Sequence, residues 1–215
     1  MLVDPTQLAS MTSTRRVRHS FAFIDLCGFC DFADGRGDDA AAEELATLRR
    51  SVREVAPLFN MRVEKWLGDG AMLVGADSES LVASVVAVGE LHRRQEGLPV
   101  RAGIAEGEVL LLEGDDYVGR PVNLAARLCD RARPGEVLAS RQGLRLPGWV
   151  KVEDKRNLEV RGFTKKVPVA ALVPRERAGR EPWSLGSVVG GLAQPLRALL
   201  GNKPPEGAEP QATPD

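Results

Sequence analysis

Asp25 interrupts the apolar run Phe21-Ala22-Phe23-Ile24-Asp25-Leu26. Burial there would strip the carboxylate of its hydration and demand a compensating cation or several hydrogen-bond donors. A metal ion at the end of a strand meets that demand, and so does a following helix whose start the side chain caps. Asp69, in Gly68-Asp69-Gly70, reads by itself as a turn residue. With Asp25 it makes two hard oxygen ligands presented by separate turns, which suits Mg²⁺. Asn123 and Arg127 are four residues apart in a helical stretch, so both project from one face and can act on the same group. Cys27 and Cys30 have the spacing of a thiol redox centre, although no parallel βαβ pattern surrounds them. His19, His92 and Cys129 lack the ligand spacing of a zinc site.

These side chains need elements to hold them. Phe21 to Leu26 reads as a strand buried on both faces, and Asp38 to Val55 as a helix with Ala41, Leu45, Leu48 and Val52 on its apolar side. Met61 to Leu67 and Ala71 to Val74 are apolar runs joined by Gly68-Asp69-Gly70, a hairpin signal. Ser80 to His92 is helical by period, and Val100 to Leu112 is strand-rich, with Gly103 and Gly107 expected at bends or bulges. Val122 to Arg131 reads as a short helix, and strands follow from Val137, over Val150 to Val152 and over Val167 to Val173. The order predicts an α+β fold: a ferredoxin-like βαββαβ core with an antiparallel sheet and helices packed on one face, plus an additional C-terminal strand region.

A length of 215 residues suits one domain with ragged ends. Residues 1–18 read as a flexible N-terminal segment, 19–174 as the folded domain, 175–201 as an amphipathic C-terminal helix, and 202–215 as a disordered tail. Hydrophobic residues at 43% and charged ones at 27% exclude a disordered or fibrous chain. A net charge of -1 leaves no global basic field, so no nucleic-acid partner is expected and any bound polyanion is small. Three cysteines are too few for a disulfide framework and point to a reducing compartment, the cytoplasm. No uncharged apolar stretch reaches the roughly 18 residues of a membrane-spanning helix, so no transmembrane segment is expected.

Four segments, in order, resemble the catalytic domain of class III nucleotidyl cyclases. Phe21 with Phe23-Ile24-Asp25-Leu26-Cys27-Gly28-Phe29 is similar to the family's first metal motif, and Lys65-Trp66-Leu67-Gly68-Asp69 to the second. Asp116-Tyr117-Val118-Gly119-Arg120-Pro121-Val122-Asn123-Leu124-Ala125-Ala126-Arg127 resembles the transition-state motif, and Leu158-Glu159-Val160-Arg161-Gly162-Phe163 the closing segment. The likeness spans about residues 19 to 173.

The resemblance implies an adenylate cyclase that converts ATP to 3',5'-cyclic AMP and pyrophosphate. By it, Asp25, Asp69 and the Leu26 carbonyl bind two Mg²⁺ or Mn²⁺ ions per active site, and backbone N–H groups of Cys27, Gly28, Phe29 and Cys30 hold the β- and γ-phosphates. Arg127 stabilises charge at the α-phosphate and Asn123 orients the ribose. Lys65 and Asp116 match the adenine-reading pair, the ammonium donating to N1 and the carboxylate accepting from the exocyclic amine. Asp115 adjoins Asp116, and the seven-residue spacing to Asn123 selects Asp116. Cys30 replaces the family's usual Thr or Ser, and Arg161, Lys165 and Lys166 are candidates for a triphosphate contact. Trp66 and Tyr117 are expected at the core or a subunit interface. The family builds each site from two domains, so a single copy implies that a head-to-tail homodimer is required for activity. The rival readings are a catalytically silent nucleotide-binding or regulatory module, and a guanylate cyclase, which Lys65 and Asp116 oppose.

Overall fold

The computed structural model describes residues 15–112 and 116–175, all within one compact unit. The segment from Trp183 to Leu200, the tail 202–215, residues 1–14 and Asp115 lie outside the described residues. The chain runs β1 (Arg15–Leu26), α1 (Phe29–Arg36), α2 (Asp38–Val55), a 3₁₀ turn (Ala56–Phe59), β2 (Met61–Leu67), β3 (Gly70–Gly75) and α3 (Ser78–Arg94). Then follow β4 (Val100–Leu112), β5 (Asp116–Val118), α4 (Arg120–Arg131), β6 (Val137–Ser140), β7 (Val150–Leu158) and β8 (Val167–Pro174).

The sheet order is β2-β3-β1-β4-β6-β8-β7, with β5 added on β4. Its first four strands are antiparallel and in ferredoxin-like order, as the pattern predicts. β6, beyond that core, lies parallel to β4 because α4 carries the chain back across the sheet. β1 begins at Arg15, earlier than its apolar run, because the mostly polar stretch Arg15 to Ser20 continues the β1–β4 ladder opposite Leu111 to Glu106.

Alternation along the strands divides the helices between the two faces. Gly75, opposite Ser20, leaves room for Leu81 of α3, while Val100 and Ala102 border the same cavity as Val85 and Val86. The other face carries Phe21, Met72 and Val74, packed with Leu124, Ala125 and Leu128 of α4. The helices of the βαββαβ core thus lie on one face, as expected, while α4, which follows that core, lies on the opposite face and closes a second core.

Gly103 explains that docking. A Cβ there would sit 2.2 Å from the Ala125 carbonyl oxygen and 2.2 Å from the Cys129 nitrogen, so only a bare backbone lets α4 approach β4. The bend expected at Gly103 and Gly107 is absent, since β1 and β4 pair without a break from Arg15 to Leu26. The register shifts lie instead in β2, between Val63 and Lys65, and in β7, between Val152 and Asp154.

α3 starts at Ser78, where Asp77 accepts from the Ser80 N–H at 2.9 Å. α4 starts after Gly119 with Pro121 in its first turn, and its buried stripe leaves Asn123 and Arg127 outside. Among the described residues no helix is long and apolar enough to cross a membrane.

Candidate active site

The β1 register puts Asp25 between two neighbours, Gly70 of β3 and Arg101 of β4. Arg101 donates to Asp25 Oδ2 from Nε at 2.8 Å and from Nη2 at 2.5 Å. The demand for a cation is met within the chain by a residue that the sequence analysis did not single out. Its signal was weak: one Arg among 23, recognisable only once the β1–β4 register is known. Asp25 does not cap a helix, because Gly28 occupies the N-cap of α1.

Asp69 follows in the β2–β3 turn, and its carbonyl accepts the Leu26 N–H at 3.3 Å. Burial raises the Asp69 carboxyl above the usual carboxylate range and the charge of Asp25 raises it further, against opposing contributions from a backbone hydrogen bond and Arg101. The two carboxylates thus lie close enough for the charge of Asp25 to act on Asp69. Among the described residues no three His, Cys, Asp or Glu side chains form a metal cluster. Mg²⁺ usually takes one or two carboxylates and completes its octahedron with water and phosphate oxygens, so Asp25 and Asp69 fit such ions.

Gly28 turns the chain from β1 into α1 with φ 77°, a left-handed conformation that favours glycine. Phe29, Cys30 and Asp31 follow in the first turn, where N–H groups lack intrahelical partners. Cys27 departs from the expected cradle, because its N–H donates to the Pro99 carbonyl at 2.8 Å. Of the expected cradle, that leaves the N–H groups of Gly28, Phe29 and Cys30. Burial and then the Asp25 charge push the Cys27 thiol up, despite Arg101, so it is shifted away from the thiolate that a redox centre needs.

Lys65 Nζ forms an ion pair with Asp116, joining side chains 51 positions apart. Tyr117 packs edge-on against Phe21, with centroids 5.2 Å apart, and against His19 at 5.6 Å. Trp66 points to the opposite face, under the guanidinium groups of Arg49 and Arg53. Asn123 and Arg127 are both exposed on α4, and Arg127 reaches Asp130 at 3.4 Å. Three groups result: Asp25 with Asp69 and Arg101, Lys65 with Asp116, and Asn123 with Arg127. No hydrogen bond or ion pair among the described residues joins the first group to the third.

The adenylyl cyclase CyaB from P. aeruginosa superposes with a TM-score of 0.67 at 22% identity, over 77% of this chain and 98% of that one. The guanylyl cyclase Cya2 gives 0.67 at 20% identity, over 77% and 96%. This is the class III nucleotidyl cyclase catalytic fold.

By sequence, the chain is 38% identical over 159 residues to an uncharacterised protein of Mycobacterium tuberculosis, covering 73% of this chain and 41% of that one. It is 35% identical over 126 residues to a pH-sensitive adenylate cyclase of M. tuberculosis, covering 55% and 30%. The chain spans about two fifths of the length of the first of these relatives. No family model matches it.

Within the cyclase fold, the β7–β8 loop carries the remaining basic candidates. Lys166 pairs with Glu159 at 3.2 Å, both side chains being exposed, and the Arg120 guanidinium lies 4.5 Å from the Phe163 ring centroid. Neither contact singles out Arg161, Lys165 or Lys166 as a phosphate ligand.

Proposed function

We propose that this chain is an adenylate cyclase, forming 3',5'-cyclic AMP and pyrophosphate from ATP at composite sites of a head-to-tail homodimer. The observation that carries the reading is the Lys65–Asp116 pair, which sets a donor beside an acceptor on an exposed rim. Adenine offers N1 as acceptor and its exocyclic amine as donor, whereas guanine offers the opposite edge.

Two divalent ions, when bound by Asp25, Asp69 and the Leu26 carbonyl, supply Lewis-acid activation of the ribose 3'-hydroxyl and neutralisation of the triphosphate. Arg101 compensates Asp25 and presents a guanidinium beside the cradle. The N–H groups of Gly28, Phe29 and Cys30 hold the terminal phosphates. Asn123 orients the ribose so that its 3'-oxygen faces the α-phosphorus, in line with the departing pyrophosphate. Arg127 meets the charge that grows on the α-phosphate oxygens.

The lack of any hydrogen bond or ion pair between the two groups, among the described residues, supports the dimer. Asn123 and Arg127 have no link to Asp25 within one chain, and a two-fold partner would bring the second set to the first. Leu67 and Val118 are apolar side chains left 45% and 50% exposed near the candidate residues, as expected of surfaces that a partner covers.

The test is cyclic nucleotide formation from ATP and from GTP, with Mg²⁺ and with Mn²⁺, against Asp25→Ala. Cyclic AMP that disappears in the variant supports the reading. Bound nucleotide without product turns it to a silent module, and cyclic GTP as the main product to a guanylate cyclase.

A further inference from the structure

The Lys65–Asp116 pair is exposed by 50% and 62% of its side chains. An isolated surface pair of this kind contributes little and wanders. Reading a purine edge needs both groups fixed, and the structure contains a second crosslink beside the pair. Arg62 Nη2 donates to the Tyr117 hydroxyl at 2.8 Å, and its guanidinium carbon lies 5.8 Å from the Tyr117 ring centroid. The same Nη2 meets Glu64 Oε2 at 2.7 Å, a side chain only 4% exposed.

The bulge in β2 makes this possible. Arg62 pairs with Val74 and Lys65 with Met72, both on the face that carries Phe21. Residues three apart on a regular strand point to opposite faces. Glu64 is the extra residue between Val63 and Lys65, and by absorbing one position it brings Arg62 and Lys65 to the same side. Both then reach β5, Arg62 to Tyr117 and Lys65 to Asp116. The Tyr117 ring is wedged against His19 and Phe21, so it anchors β5 to the core.

We infer that Glu64, Arg62 and Tyr117 form a positioning clamp that holds Lys65 and Asp116 in register for the purine, and so set the preference for ATP over GTP. The clamp deepens the proposed adenylate cyclase activity and rests on it for the identity of the base. None of the three clamp residues touches the reacting atoms. They act through the adenine-reading pair.

Tyr117→Phe keeps the ring and its packing and removes only the hydroxyl. The full chain is assayed by displacement of a fluorescent ATP analogue with 3'-deoxy-ATP and 3'-deoxy-GTP, which lack the attacking hydroxyl, while turnover of ATP is followed separately. In Tyr117→Phe and Arg62→Ala the ATP-to-GTP affinity ratio is expected to fall about tenfold, the upper range for losing one hydrogen bond. KM for ATP should rise with kcat held within about twofold, and Arg62→Lys should restore most of the ratio, because an ammonium can serve both the hydroxyl and Glu64. A lower Tm with both affinities falling together, at an unchanged ratio, marks a merely structural role and overturns the clamp. A parent chain without ATP preference overturns the clamp and the ATP reading together. Where the parent prefers ATP but forms no product, the displacement ratios still decide the clamp, and only the proposed reaction fails.

Discussion

Arg101 Nε donates to Asp25 Oδ2 at 2.8 Å across the β1–β4 ladder, so the candidate metal carboxylate already has a cationic partner built into the sheet. A metal ion must share or displace that partner. Arg101→Ala should therefore lower metal-free stability by about 1–3 kcal/mol, the usual scale for removing a charged, partly buried hydrogen-bond partner. It should also tighten Mn²⁺ binding while lowering turnover, because the cation is lost from the phosphate side. Thermal unfolding with and without Mn²⁺ reads both effects. A variant whose Tm responds to Mn²⁺ no more than the parent's would mean that the ion and Arg101 do not compete for Asp25.

The docking of α4 hangs on the backbone at Gly103. Adding one methyl forces the helix away from contacts of 2.2 Å with main-chain atoms, which cannot swing aside as a side chain can. Gly103→Ala is expected to cost at least about 1–3 kcal/mol, the range for overpacking, and to displace Asn123 and Arg127. Activity should drop much further than the residual folded fraction explains. Circular dichroism melts and specific activity on the folded fraction measure the two losses separately.

How much of this was legible in the sequence follows from range. The strands and helices of the βαββαβ core announced themselves through local periodicity, and Asp25, Asp69, Lys65 and Asp116 through short motifs. α1 escaped because it buries no residue and so leaves no apolar stripe to read. Arg101 and the Arg62–Tyr117 contact escaped because they depend on register between strands far apart in sequence. The Glu64 bulge is invisible for a related reason, since an extra residue is defined only against its partner strand. The placement of α4 opposite α3 is a property of the third dimension, and Gly103 and Gly107 looked like bends or bulges when they were helix seats.

Burial, with the Asp25 charge second, pushes the Cys129 thiol up to about 12, despite the Arg101 charge. Its folded value lies above the ordinary thiol range, so the folded state holds this proton more tightly than the unfolded chain does. The stability gained is complete below the ordinary thiol range and is lost as pH climbs through it toward 12. Alkaline unfolding should accordingly set in earlier for the parent than for Cys129→Ala, measured relative to each protein's stability at pH 7. At pH 8, alkylation should modify the exposed Cys30 quickly and leave the 4%-exposed Cys129 intact until the chain is denatured. Mass spectrometry of peptides after timed labelling decides it, and fast native labelling of Cys129 would show that the α4–β4 core opens.

Asp25 and Asp69 lie on β1 and the β2–β3 turn, while Asn123 and Arg127 stand on the solvent side of α4 with no bond to them. If each site takes its carboxylates from one subunit and its α4 pair from the other, Asp69→Ala and Asn123→Ala should each remove nearly all activity as homodimers. Mixing them produces heterodimers in which one site carries both defects and the other carries neither. Random exchange at equal amounts makes about half of the dimers mixed, each with one intact site of two, so activity should recover to about a quarter of the parent's. Asp25→Ala mixed with Asp69→Ala should recover nothing, because both changes fall on the same half of every site. Recovery in that second mixture, or none in the first, would show that the sites are not divided between subunits in this way.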